Sequence, residues 1–366
     1  MALIDRVPDH IRAIAPYQPG KPISELAREM GLNEAEIIKL ASNENPLGIS
    51  PLARAAVERG VAELGLYPDG SGHALKTALS RRLGVDMDRI VLGNGSNDVL
   101  ELTARLFLDA HASAVYAQHA FAVYPLVTQA CGAVGIEVPA RAYGHDLQAM
   151  AAAIQDDTRL VFIANPNNPT GTLLEPNALR AFLDRVPEDV AVVLDEAYGE
   201  YLDPDRRAPS LDWLTEFPNL IVTRTFSKAY GLAGLRVGYA LARPEVADLL
   251  NRLRQPFNVN SLALAAAEAA LDDEAFLAAS KRLNDAGLAQ LNEGFRRLGL
   301  AYIPSAGNFV CVRVGDAGRV YRELLRRGII VRPVANYGLP EHLRVSVGTE
   351  AQNARFLATL GEILTG

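Results

Sequence analysis

Between residues 50 and 260, short apolar runs alternate with stretches of helical period. The runs Ile90–Leu92, Ser113–Ala117, Ala133–Val138, Leu160–Ala164, Val190–Leu194 and Leu220–Thr225 predict strands. Between them, His73–Leu83, Asn97–Leu108, Leu126–Cys131, Leu147–Ile154 and Ala178–Val186 predict helices. In Asn97–Leu108, Val99, Leu102 and Leu106 fall on one face, with Ser96 as the expected cap. Apolar strands separated by helices predict an α/β unit, its mostly parallel sheet covered on both faces. Residues 1–49 differ: Pro16, Pro19 and Pro22 punctuate an arm with one short helix near Ile23–Met30. After residue 260 the texture changes again. Ala/Leu-rich helices fill 262–298, and strands at Phe309–Val314, Ile329–Val331 and Leu343–Val347 alternate with further helices. Residues 261–366 therefore read as a smaller α+β domain behind a large domain of residues 50–260.

Composition narrows the function. The chain has 366 residues, 49% hydrophobic and 22% charged, which suits about two packed domains. A net charge of −7 with no basic run argues against nucleic acid or a membrane surface as partner. No apolar run reaches membrane-spanning length, and the first residues, Met1-Ala2-Leu3-Ile4-Asp5-Arg6, do not look like a signal peptide. Two distant cysteines, Cys131 and Cys311, exclude a disulfide scaffold and suit the reducing cytoplasm. The histidines (10, 73, 111, 119, 145 and 342) lack metal-ligand spacing and read as structural or exposed, so no metal is expected.

Four features could carry chemistry. Gly93-Asn94-Gly95-Ser96-Asn97-Asp98 follows a strand and opens a helix, where backbone N–H groups suit a phosphate. It is not a dinucleotide fingerprint, because Asp98 stands where a small residue is needed and the next strand ends Tyr116-Ala117-Gln118 without an acid. Asn165-Pro166-Asn167-Asn168-Pro169-Thr170-Gly171 forms an ordered loop at a strand end, where open α/β sheets bind ligands. Asp195-Glu196-Ala197-Tyr198 ends another apolar strand, a costly place for a carboxylate that meets no cation. Thr225-Phe226-Ser227-Lys228, followed by Gly231, Gly234, Arg236 and Gly238, combines hydroxyls and a guanidinium suited to a phosphate with a lysine near other cations. Singly, these are a tight turn, a structural loop, a helix cap and a surface lysine. Together they require one ligand with a phosphate, a carbonyl for Lys228, a cationic ring nitrogen for Asp195, and a ring oxygen for Asn168 and Tyr198. Pyridoxal 5'-phosphate meets all four demands.

The same segments resemble fold-type I aminotransferases, in the pattern from Asn168 to Gly171, from Asp195 to Tyr198 and from Ser227 to Gly238. The similarity extends to Pro16-Tyr17-Gln18-Pro19-Gly20, Leu40–Gly48, Tyr67-Pro68-Asp69-Gly70, Gly328–Arg332 and Tyr337–Thr349. The resemblance implies that Lys228 holds the cofactor aldehyde and then moves the proton, while Asp195 pairs with the ring nitrogen. It also implies that Asn168 and Tyr198 bond the ring oxygen. Thr225, Ser227, Arg236 and the Gly95, Ser96 and Asn97 backbone would hold the phosphate, and Phe121 would stack on the ring where the family usually has Tyr. Tyr67 would reach the phosphate from the other subunit of a homodimer. Arg344 would bind a carboxylate or phosphate of the substrate, with Arg332 and Tyr17 as further phosphate contacts. Within the family, the chain is most similar to enzymes exchanging an amino group between L-glutamate and imidazole acetol phosphate, which yields histidinol phosphate and 2-oxoglutarate. The alternatives are an aminotransferase for phenylalanine and tyrosine, a decarboxylase of threonine phosphate, and a ligand-sensing regulator. The last would need a DNA-binding domain, for which the arm is too short and not basic enough.

Overall fold

The computed structural model describes residues 2–17 and 19–366; Met1 and Gln18 of the quoted segments lie outside the described residues. The strands are β1 (Ile38–Lys39), β2 (Ile90–Gly93), β3 (Ser113–Ala117), β4 (Val134–Val138), β5 (Thr158–Ala164), β6 (Ala191–Asp195) and β7 (Leu220–Thr225). They continue with β8 (Gly238–Leu241), β9 (Tyr302–Ile303), β10 (Phe309–Arg313), β11 (Ile329–Ile330), β12 (Arg332–Pro333) and β13 (His342–Ser346). The large sheet has seven strands in the order β2-β8-β7-β6-β5-β3-β4. Strands β4, β3, β5, β6 and β7 run parallel, and β8 is antiparallel to both β7 and β2. Central strands such as β6 are buried along their whole length, as expected when helices cover both faces. The fold is that of the α/β class expected.

Two elements depart from the sequence pattern. β8 was not expected, because Gly238 and the glycine-rich run before it conceal a strand. The helix at Ser96–Phe107 is capped by Gly95 at φ +81°, not by Ser96, which is its first helical residue; no side chain caps it. The first backbone donors of that helix are therefore left for another acceptor.

β13, β10 and β9 form an antiparallel sheet with β12 at its edge, packed on helices Glu274–Arg297 and Glu350–Thr365. The arm is tied to this smaller unit, since β1 pairs in parallel with β11 and Ile38 and Leu40 enter the same core. Helix Ser261–Leu271, although it follows residue 260, buries its alanine face in the core of the large sheet.

Candidate active site

The C-terminal ends of β5, β6 and β7, the Gly95 turn and the arm enclose a cavity of about 260 Å³. It is lined by Ser96, Asn97, Phe121, Asn168, Asp195 and Tyr198. Thr225, Ser227, Lys228, Arg236, Arg332, Arg344 and Tyr17 also line it, as do Ala41, Ser42, Asn43 and Tyr124. Asn168, Asp195, Thr225, Ser227 and Lys228 converge because the parallel strands β5, β6 and β7 deliver their carboxyl ends to one edge, while the arm brings Tyr17 and the small antiparallel sheet brings Arg332 and Arg344. Gly95 lies immediately behind: a Cβ there would sit 2.3 Å from Arg236 Nη2. Tyr67 is not in the cavity of its own chain. It is 83% exposed and stacks on Phe257 at 4.8 Å between ring centroids.

One end of the cavity is built for an anion. Arg236, held at φ +57°, donates from Nη1 to Ser227 Oγ at 3.3 Å, and Ser227 N donates to Thr225 Oγ1 at 3.1 Å. The uncapped N-terminus of helix Ser96–Phe107 faces the same space. Gly238 must lack a side chain, because its Cβ would meet Ser96 N at 2.5 Å and close the cradle.

Lys228, Asp195 and Tyr198, singled out in the sequence, line the same cavity. Lys228 Nζ donates to Ser42 O at 3.2 Å; burial, and then the Arg344 charge, push it down to about 8 from the ordinary 10.5. Asp195 is buried at the end of β6, and burial pushes its carboxyl up to about 6. Tyr124 donates to Asp195 Oδ2 at 2.8 Å, while Oδ1 has no partner among the described residues. A buried carboxylate oxygen left open toward a cavity is suited to a cation. Tyr198 is raised to about 12 by burial, against which Arg344 and a hydrogen bond from Asn43 act.

At the opposite end stand two arginines. Arg344 donates from Nη1 to Asn168 Oδ1 at 2.5 Å and from Nη2 to Ala41 O at 2.6 Å, leaving Nε buried without a partner. Asn168 thereby turns its amide nitrogen toward the cavity. The Arg332 guanidinium lies 5.7 Å over the Tyr17 ring and has no side-chain hydrogen bond or ion pair among the described residues.

Sequence reasoning gave no role to Tyr124, or to Ala41-Ser42-Asn43 beyond their place in the resembling segment Leu40–Gly48; the contribution of that segment comes mainly from backbone carbonyls. Tyr124 does pack, stacking on Phe162 at 4.7 Å, but its hydroxyl reaches the site. The signal for it was the buried Asp195, which needs a donor. Among the described residues, no group of His, Cys, Asp or Glu is placed to hold a metal, and no helix is long and apolar enough to cross a membrane.

This sheet, lysine and paired arginines define a family. Residues 35–360 match aminotransferase class I and II, and the chain belongs to that family. The histidinol-phosphate aminotransferase 1 of Thiobacillus denitrificans is 66% identical over 357 residues, 98% of this chain and 93% of that relative. The histidinol-phosphate aminotransferase of Methylobacillus flagellatus is 62% identical over 362 residues, 99% of this chain and 98% of that protein. Among solved structures, histidinol-phosphate aminotransferase from Sinorhizobium meliloti, in complex with pyridoxal-5'-phosphate, superposes with a TM-score of 0.89 at 31% identity and 98% coverage of both chains.

Proposed function

We propose that this chain is a pyridoxal phosphate-dependent aminotransferase that exchanges the amino group between L-glutamate and imidazole acetol phosphate, giving L-histidinol phosphate and 2-oxoglutarate. The observation that carries the substrate assignment is the buried Arg332 guanidinium. It opens into the cavity beside Arg344 with its donors uncommitted to any described residue. A phosphate, with about −1.5 to −2 charges and several acceptor oxygens, suits two guanidiniums better than one. The high full-length identity to relatives named for this activity supports the same assignment.

The residues present fit the cofactor: an orphaned carboxylate oxygen at Asp195, a cradle at Gly95 and Gly238 that a Cβ would fill, and a buried lysine between them. When bound, pyridoxal phosphate supplies a ring that stores the electron pair left when the substrate loses its α-proton. Lys228 Nζ, lowered to about 8 by burial, would take up that proton and hand it back. Asp195 Oδ1 would accept the ring N–H, and a cation there would hold Asp195 ionised against the cost of burial. Asn168 Nδ2 and Tyr198 Oη would donate to the ring oxygen. Arg236, Thr225, Ser227 and the first donors of helix Ser96–Phe107 would hold the phosphate, and Phe121 would stack on the ring. Arg344 receives the anionic end of each substrate in turn.

Tyr67 acts from the partner subunit of a homodimer in this proposal. Its exposure beside Leu64, Leu66 and Phe257 supports that placement, because such an apolar patch needs a cover. The enzyme is read as cytoplasmic. Comparing kcat/KM for histidinol phosphate, phenylalanine and threonine phosphate tests the assignment. Preference for phenylalanine would transfer it to the aromatic aminotransferases, and carbon dioxide release from threonine phosphate to the decarboxylases.

A further inference from the structure

Three consecutive residues of the arm each hold one side chain of the site. Ala41 O accepts from Arg344 Nη2, Ser42 O accepts from Lys228 Nζ, and Asn43 Nδ2 donates to Tyr198 Oη at 2.9 Å. The third tie is a side-chain amide, so its direction can reverse. An amide offers a donor on one side and an acceptor on the other.

Ser346 on β13 decides which side faces Tyr198. Its Oγ accepts from Asn43 N at 2.9 Å and stands 2.9 Å from Asn43 Oδ1. A serine hydroxyl has one hydrogen. Having accepted from the backbone, Ser346 gives that hydrogen to Oδ1, which turns Nδ2 toward Tyr198. Tyr198 then receives a hydrogen bond from Asn43 and keeps its own hydrogen for the cavity. With the amide reversed, Oδ1 would face Tyr198 and draw the phenolic hydrogen away, leaving Ser346 without an acceptor at Asn43. Asn43 itself is fixed: it is 1% exposed, its φ is +54°, and Asn308 Nδ2 donates to its carbonyl at 3.0 Å.

We propose that Asn43 is a positioning residue whose amide, oriented by Ser346, aims the Tyr198 hydroxyl hydrogen into the cavity at the ring oxygen of the cofactor. This rests on the pyridoxal phosphate reading above. The other polar groups around Tyr198 do not impose that direction. Arg344 on β13 and Asp195 on β6 act on it through charge, as does Tyr337 beyond β12, and Lys228 Nζ lies over its ring face at 5.9 Å.

The test is a pH titration of the visible absorption of the holoenzyme without substrate. A donor at the ring oxygen stabilises its anion and keeps the midpoint of the bound chromophore low. Tyr198→Phe removes the donor and should raise the midpoint by about one pH unit or more. Ser346→Ala, which removes a group that does not line the cavity, should raise it in the same direction by a smaller amount. Ser346→Thr keeps the hydroxyl and should restore the wild-type midpoint. Asn43→Asp offers Tyr198 only an acceptor and should match Tyr198→Phe. In a Tyr198→Phe background, Ser346→Ala should add no further shift, whereas a general loosening of the site would shift both backgrounds. A wild-type midpoint in both Ser346→Ala and Asn43→Asp, with Tyr198→Phe displaced, overturns the role of Asn43. A wild-type protein that gains no visible band with pyridoxal phosphate overturns the cofactor reading itself, and this inference with it.

Discussion

Removing the Arg332 guanidinium should separate the two half-reactions. Histidinol phosphate has no α-carboxylate, so its phosphate must take the anchoring that glutamate draws from a carboxylate. Arg344 gives one hydrogen of Nη1 to Asn168 and one of Nη2 to Ala41, so only its remaining N–H donors are left for either substrate. Arg332 is 8% exposed, stands on β12 directly opposite Arg344 on β13, and has no acceptor among the described residues. A phosphate therefore gains from Arg332 at least one charge-assisted hydrogen bond in a desolvated place. Losing such a bond costs about 1.5–3 kcal/mol, or roughly 10- to 150-fold in kcat/KM. We expect Arg332→Ala to impose that loss on histidinol phosphate and a smaller one on glutamate. Arg332→Lys, which keeps the charge but not the fork, should fall between. Single-turnover stopped-flow absorbance measures each half-reaction separately. Equal losses for the two substrates would refute the reasoning and leave an aromatic substrate as the better assignment.

Three further outcomes are expected. Lys228→Ala should lack the visible band that the wild type shows with pyridoxal phosphate and should not turn over; near-normal turnover would remove Lys228 from its role. Mixing Lys228→Ala with Tyr67→Ala subunits should regain activity, toward half per heterodimer, because one site collects both lesions and the other neither; no recovery after verified subunit exchange would place Tyr67 outside the partner's site. In cofactor-free protein, Asp195 titrates at about 6 rather than 3.8, so its contribution to stability is fully present below 3.8 and is lost as pH rises through about 6. That loss is about 3 kcal/mol, so Asp195→Asn should raise the thermal midpoint at pH 7 to 8 and lose its advantage as pH falls below 6; a gain independent of pH would assign the effect to something other than the buried charge.

Much of the site is legible in the sequence because its side chains announce their chemistry. A carboxylate ending an apolar strand, or a lysine among hydroxyls and an arginine, is expensive without a ligand. The large sheet is legible because buried parallel strands leave continuous apolar runs. β8 is not, since it opens on Gly238, and the glycine is required there by Ser96 rather than by strand formation. β1 is hidden for a different reason. It is two residues long, and its pairing partner β11 lies almost three hundred residues away, with Ile38 opposite Ile329. Local pattern carries no trace of such a partner.

Tyr124 and the arm show why a residue's type can mislead about its work. The Tyr124 ring belongs to the core, stacked on Phe162, while its hydroxyl supplies Asp195 with its donor. Both roles follow from one amphipathic side chain, so an apolar neighbourhood does not argue against a place in the site. In the arm the point is sharper. Ala41 has no side-chain chemistry, yet its carbonyl occupies one nitrogen of Arg344, and the carbonyl of Ser42 does the same for Lys228. What Arg344 can offer a substrate is thus set partly by a peptide group, whose position depends on β1 being held against β11. The pairing that local pattern could not reveal is the one that places these carbonyls. A substitution that loosens β1 should therefore be felt first at Arg344 and Lys228, although neither residue lies in the arm.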